Sequence, residues 1–456
     1  MRLMPVMFED HTLAGFRPLA WSVPVSELRC GILNPRERVE RVFGQPPILL
    51  VRSFLEPLAA ELGHATGPDT IEGALPGSLL ESVVLVSPRL GADWERLEAL
   101  QREAEHTSDG FCIVDGEGLL AAVVPRADLA DWLGSWRAWR DQADASGAWR
   151  DPTTPVPRWE PPQTLPGREE RPGWRRLWDL IPATAAAISD DLERIGEFLP
   201  ARRIWGALPV EPEQAVWTSP VALQTAPQRG LGDLVTAGDP ARVWLGPDCR
   251  LAAGVAIDAR EGPVVLGAGV EVMPHSYLAG PLFVGSGSRI KAGATIYGET
   301  SLGAVNRVAG EIGESTFLDF VNKQHDGFIG HSYLGSWCNL GAMTTNSDLK
   351  NTYGTIRVDL GQGAEDTGLR FVGLLMGEHG KTAIGTLFNT GTTVGFASNV
   401  FGTGFPAKRL DSFTWGDGRS DDRHDPRRAT ETAATVMQRR GCRLTDGCRR
   451  IFEGLA

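Results

Sequence analysis

The chain has 456 residues, a formal net charge of −12, and 22% charged against 42% hydrophobic residues, the balance of a folded protein of two or three domains. Its acidity excludes a general surface for nucleic acid or anionic membrane, while leaving room for a local basic pocket. Six cysteines scattered from Cys30 to Cys448 without a CxxC pair exclude a dense disulfide framework and imply reduced thiols. Residues 1–13 are interrupted by Pro5, Glu9 and Asp10, so neither a signal peptide nor a transmembrane run is expected, which points to the cytoplasm.

Residues 1–200 read as an α/β domain. Ile48-Leu49-Leu50-Val51 and Val83-Val84-Leu85-Val86 have the pattern of buried strands, and Phe111 to Val114 followed by Asp115-Gly116 and residues 119–124 reads as a hairpin. Leu129, Trp132, Leu133 and Trp136 fall at helical spacing, which predicts a helix over 127–145 with its tryptophans in the core. Residues 151–174 hold seven prolines and predict an extended connector. A helix follows on Leu177, Leu180, Ile181, Ile188, Leu192, Ile195 and Leu199, with Pro182 expected to kink it. Residues 201–242 are irregular and form a bridge.

The strongest pattern lies beyond the bridge. Leu266, Val272, Leu278, Val284, Ile290, Ile296, Leu302 and Val308 recur every six residues. A 3.6-residue helix scatters such positions around its circumference, whereas a chain that turns a corner every six residues puts them all inside. The expectation is a left-handed parallel β-helix over 243–416, continuing through Ile312, Leu318, Ile329, Leu334, Leu340, Ile384 and Thr390. Its phase slips between Leu318 and Leu334, and an insertion spans 346–370. Residues 417–456 read as a helical tail.

The phase slip falls on Asn322-Lys323-Gln324-His325-Asp326-Gly327-Phe328-Ile329-Gly330, with Asn339-Leu340-Gly341-Ala342 and Thr344-Thr345-Asn346-Ser347 about one coil later. An imidazole among amide, ammonium and carboxylate groups, where a rigid repeat is interrupted, can take a proton from a bound polar substrate.

The order of hexapeptide solenoid, Arg-x-Lys-Ala-Gly-Ala (residues 289–294), Lys-x-His and Asn-x-Gly-Ala resembles the acetyltransferase half of the bifunctional glucosamine-1-phosphate acetyltransferase/N-acetylglucosamine-1-phosphate uridyltransferase. It is more similar still to a bacterial branch labelled sugar nucleotidyltransferases. The matching blocks are Asn322-Lys-x-His-Asp-Gly-Phe-x-Gly330, Trp337-Cys-Asn-Leu-Gly-Ala342, Asn346-Ser-x-Leu-Lys-Asn351 and Phe388-Asn-Thr-Gly-Thr392. Phe8-Glu-Asp10, Pro18-Leu19, Pro24-Val-x-Glu-Leu-Arg29-x-Gly-Ile-Leu33 and Arg36-Glu37 resemble the nucleotidyltransferase domain of that branch.

The resemblance implies an acetyl-CoA-dependent N-acetyltransferase acting on an amino-sugar phosphate, with His325 as base. Asn322, Asp326, Asn339 and Asn346 would contact sugar or thioester, and Lys291 and Lys323 the phosphate; no metal takes part in that step. It also implies a homotrimer and a nucleotidyltransferase-like domain with Asp10, Arg29 and Arg36 as candidates, using UTP or dTTP, and Mg2+ only if that domain is active. Two departures bear on the acceptor. Phe328 stands where the relative has tyrosine, and Gly310-Glu311-Ile312 lacks a phosphate-binding lysine. In the N-terminal domain, Ser22-Val23-Pro24 replaces the usual Thr-Arg-Pro, and the glycine-rich loop that ends in arginine is missing, which predicts weak nucleotidyl transfer. Three alternatives stay open: an active nucleotidyltransferase with the solenoid as trimerisation scaffold, a scaffold without catalysis, and a zinc site of the γ-carbonic-anhydrase kind using His325, His331 and His379.

Overall fold

The computed structural model describes residues 2–75, 80–91, 93–231 and 234–456. Contacts divide it into one unit of Met1–Leu28, Leu33–Leu177 and Thr445–Leu455 and a second of Arg29–Ile32 and Trp178–Leu444, with Ala456.

The first unit is built on a six-stranded mixed sheet of β1 (Arg2–Phe8), β2 (Ile48–Leu50), β3 (Leu80–Val86), β4 (Phe111–Asp115), β5 (Gly118–Pro125) and β6 (Gly167–Glu169), in the order β2-β1-β3-β5-β4-β6. β1 runs parallel to β2 and β3, β5 is antiparallel to β3 and closes the expected hairpin with β4. Pro5 hides β1 in the sequence, yet β2 pairs only with Val6 to Phe8, so the proline lies beyond the end of that ladder. The helix Leu129–Ala145 buries Trp132 and Trp136 as its spacing predicts. Its indole groups also hold the proline-rich connector: Trp132 Nε1 donates to Thr164 Oγ1 (3.1 Å) and Trp139 Nε1 to the Pro157 carbonyl (2.7 Å). The connector ends in β6, an edge strand beside β4, the sheet position that tolerates neighbouring prolines. The helix Asp446–Leu455 belongs to this unit, where the Gly447 amide donates to Glu61 Oε1 (3.0 Å).

The second unit is a parallel β-solenoid. Leu266, Val284 and Leu302 stack in a ten-stranded sheet, Val272, Ile290 and Val308 in a five-stranded one, and Leu278 and Ile296 in a six-stranded one. All eight side chains are buried, which is the column of aliphatics the hexads demand. The ten-stranded sheet is covered on its outer face too: Val265, Ser301, Thr316 and Tyr333 are buried there. Residues 29–32 and the helix Leu180–Ile195 supply that cover, with Ser301 Oγ donating to the Gly31 carbonyl and Tyr333 Oη to that of Arg29 (2.8 Å). This helix begins at Leu180, after a 3-10 turn at Leu177–Asp179. Pro182 therefore sits in the first turn, where an N–H has no intrahelical partner, and the expected reason for a kink is gone.

Each coil bends at left-handed residues. Phe320, Trp337, His379 and Phe413 hold φ of 62°, 64°, 58° and 60° on one corner, a conformation costing about 1–2 kcal/mol for a residue with a Cβ. Ring stacking offsets part of that cost, with Phe320 and Trp337 centroids 4.0 Å apart and 13° from coplanar. Ile384, read from the hexads as inward, is 80% exposed. Thr382 takes the inward place, paired with Val400, because the insertion shifts the phase. That insertion is an arm bearing the antiparallel hairpin Arg357–Asp359/Ala364–Asp366, closed at its base by a Leu349–Phe371 bridge.

Candidate functional site

The phase slip is a shortened coil. Ile290 pairs with Val308, eighteen positions on, whereas Val308 pairs with Lys323, fifteen on. The lost residues bring a lysine to an inward place in the aliphatic column, between Val308 and Leu340. Lys323 is 1% exposed, and its Nζ donates to the Ala309 carbonyl (3.1 Å) and the His325 carbonyl. Burial pulls its ammonium down to about 8, with Asp326 acting the other way. Space for this arrangement comes from glycine. A Cβ on Gly310 would stand 2.8 Å from the Gly327 oxygen and 3.0 Å from Lys323 Nζ, and one on Gly327 would stand 2.2 Å from the Thr344 oxygen. The turn carrying His325 is thus fixed from the preceding coil by Lys323 and from the following one by the Met343 amide, which donates to the Asp326 carbonyl (2.9 Å). His325 and Asp326 themselves are exposed.

Beside this turn the five-stranded face carries an outward polar ladder, Asn322 over Asn339 over Lys381 over Asn399. Asn322 Nδ2 donates to Asn339 Oδ1 (2.7 Å), and Gln324 Nε2 to Asn322 Oδ1 (2.6 Å), so the amide groups are oriented before any ligand arrives. Lys381 Nζ donates to the His379 carbonyl (2.9 Å), and burial draws this ammonium down to about 8 as well. Lys291 is half-buried on the edge that runs through Ala309 to Gln324. Lys381 was missed from the sequence because the arm separates it from its ladder neighbours.

Other candidates lie apart from this edge. Asn346 is buried at an inward place opposite Phe388, with Oδ1 accepting from the Gly330 amide (3.0 Å) and Nδ2 donating to the Gly330 carbonyl (3.1 Å). Its amide replaces ladder bonds where the strand is short. The three histidines weighed for zinc occupy three different corners of the solenoid: His325 follows the five-stranded face, His331 the six-stranded one and His379 the ten-stranded one. Among the described residues no group of three or more His, Cys, Asp or Glu has the placement to hold a metal ion. His331 instead meets Asp348 from the arm (Nδ1 to Oδ2, 2.9 Å) and stacks on Phe371 at 4.8 Å. Burial raises the carboxyl of neighbouring Glu314, against the pull of His331.

In the first unit Asp10 is buried at the end of β1. Its Oδ1 accepts from the Thr12 amide (2.9 Å), and its Oδ2 has no hydrogen-bond partner among the described residues. Arg36 is buried and spends its guanidinium on Glu27 and Glu40. Arg29 belongs to the second unit, donating to the Ile32 carbonyl (2.6 Å) and to Asp319 (3.3 Å). Arginines following the parallel strands are tied in the same way: Arg52 pairs with Glu9 (3.0 Å), and Arg89 with Asp115. No helix among the described residues is long and apolar enough to cross a membrane.

No curated protein matches the chain. Among solved structures, AntD, an N-acyltransferase from Bacillus cereus in complex with dTDP and 3-hydroxybutyryl-CoA, is similar at 13% identity and a TM-score of 0.19, over 47% of this chain and 95% of that one. Residues 5–197 match the model of the sugar nucleotidyl transferase family, which agrees with the mixed α/β sheet of the first unit and marks that segment as nucleotidyltransferase-like.

Proposed function

We propose that the solenoid catalyses N-acyl transfer from an acyl-CoA to the amine of an amino-sugar phosphate, with His325 as general base. The observation that carries this reading is the exposed imidazole held on a turn locked by a buried lysine, beside a pre-oriented ladder of amides. His325 takes a proton from the acceptor nitrogen as that nitrogen attacks the thioester carbon. A C–N bond forms, the C–S bond breaks, and the sulfur leaves as thiolate to be protonated. Asn339 Nδ2 is free to donate to the developing oxyanion, its Oδ1 being engaged by Asn322. Lys291 and Lys381 give the edge its positive charge for a phosphate, while Asn322 and Asp326 are the polar contacts nearest the turn. Acetyl-CoA with a panel of amino-sugar phosphates, followed by release of free thiol, tests this directly. A panel without turnover would remove it.

The first unit retains the fold of a sugar nucleotidyltransferase while its buried arginines Arg17, Arg52 and Arg89 face carboxylates and carbonyls. Nucleotidyl transfer is expected to be weak, since cations spent inside the core cannot neutralise a triphosphate. Robust pyrophosphate release from UTP or dTTP with a sugar 1-phosphate and Mg2+ would contradict this.

A homotrimer is the expected assembly, because a three-sided prism offers flat faces for threefold packing. The ten-stranded face is already covered within the chain, so the two other faces are those left for it. Light scattering that gave a monomer mass across micromolar concentrations would rule the trimer out.

A further inference from the structure

We infer that Lys323 is a positioning residue for the His325 turn, and that it does not hold a substrate phosphate. This rests on the acyl-transfer reading above only for its catalytic consequence; the positioning itself is a statement about the turn. Three independent features of the chain converge on it. Lys323 occupies a place where every preceding coil has an aliphatic side chain, Val272, Ile290 and Val308, so its stem fills the column while its ammonium has no route to solvent. Both carbonyls it reaches, Ala309 and His325, belong to the corner from which the imidazole projects. The ammonium and the backbone at Asp326 and Gly327 fill the gap that Gly310 leaves: a Cβ there would crowd Lys323 Nζ, the Gly327 oxygen and the Asp326 Cα, all within 3.0 Å.

An aliphatic residue at 323 would pack as well and avoid burying an amine, so the lysine is costly to the column. Its gain is a turn whose shape depends on two donated hydrogen bonds. A base displaced by about 1 Å loses on the order of 10²-fold in rate, which is the scale of effect this tether controls. The shape of the turn, and not affinity for the acyl donor, is what the lysine sets.

Lys323→Met, in the full chain, keeps the stem and deletes the donors. Hydrogen–deuterium exchange of the segment 324–328 should become at least several-fold faster, with peptides from 266–302 unchanged. Turnover should fall roughly 10- to 100-fold while KM for acetyl-CoA stays within about 3-fold. Gly310→Ala should reproduce both effects with Lys323 intact, by crowding the ammonium. Gly269→Ala serves as control, since it also places a Cβ at positive φ but meets nothing within 4 Å, and should change neither. Unchanged exchange at 324–328 in Lys323→Met overturns the proposal, whatever the activity. Faster exchange with full turnover overturns the positioning of a catalytic group. A phosphate contact would appear as a rise in KM for the sugar phosphate with kcat kept. His325→Ala made in parallel separates these results from a failure of the acyl-transfer reading, because it removes the base without touching the tether.

Discussion

His325→Ala is expected to lower acyl transfer by about 10²- to 10⁴-fold, the range for loss of a positioned general base, while leaving the solenoid folded. The imidazole is exposed, and the turn beneath it is held through backbone atoms, by Lys323 on the carbonyl and by Met343 on the next one. Truncating the side chain therefore removes proton transfer and little else. Acyl-CoA affinity should change little, since nothing in this role holds the donor. Rates measured at saturating acceptor, with circular dichroism of the variant, give the comparison. Full turnover on a confirmed acceptor would move the base elsewhere, and the Asp348-bound imidazole of His331 would then be the next group to replace. His325 and His331 lie on either side of the strand Phe328–Gly330, the first following the five-stranded face and the second the six-stranded one, so replacing each in turn separates their roles.

What could be read from the sequence followed the regularity of the repeat. Residues 266–308 gave away the solenoid because each aliphatic recurs at a fixed interval and every one of them is inside. Beyond Val308 the interval shortens to fifteen, and the same rule no longer says which residue points inward. Lys323 and Asn346 look like ligands for a substrate in the sequence because polar residues in a loop usually face water. In the structure both take inward places in the column, one fixing a turn and the other completing a ladder. Ile384 fails in the opposite sense, an aliphatic residue put at a corner by a shifted phase. Contacts made across the arm, such as Lys381 above Asn339, have no local pattern that spacing alone can detect. Arg29 and Arg36 carry charge suited to phosphate, but their partners Asp319 and Glu27 are visible only once the chain is folded.

The stability of the solenoid should depend on pH in a manner traceable to Lys323. Its ammonium titrates near 10.5 in an unfolded chain and at about 8 when buried. Below pH 8 both states carry the proton, and the folded state bears the whole cost of the buried charge. Between 8 and 10.5 the unfolded chain binds a proton that the folded chain has released, so stability rises with pH across that window. A separation of this size corresponds to about 3 kcal/mol at most. Lys381, also drawn down to about 8, adds a rise of the same sign. Two thiols act against them: burial pushes Cys249 up to about 11 and Cys338 up to about 12 from 9.0, which removes stability as pH passes 9. The interval from 7.5 to 9 is therefore where the lysines dominate. Burial also lowers the Lys408 ammonium, a third rise of that sign, so in Lys323→Met one rising contribution disappears and the others remain, while the carbonyls of Ala309 and His325 lose their donor at every pH and shift the whole curve without tilting it. Urea unfolding at pH 7.5, 8.25 and 9, followed by circular dichroism, should give a midpoint that climbs with pH in the parent chain and climbs less steeply in Lys323→Met. Parallel curves for the two proteins would mean that the amine is already as well solvated in the folded chain as in the unfolded one, and that its place in the aliphatic column exacts no electrostatic cost.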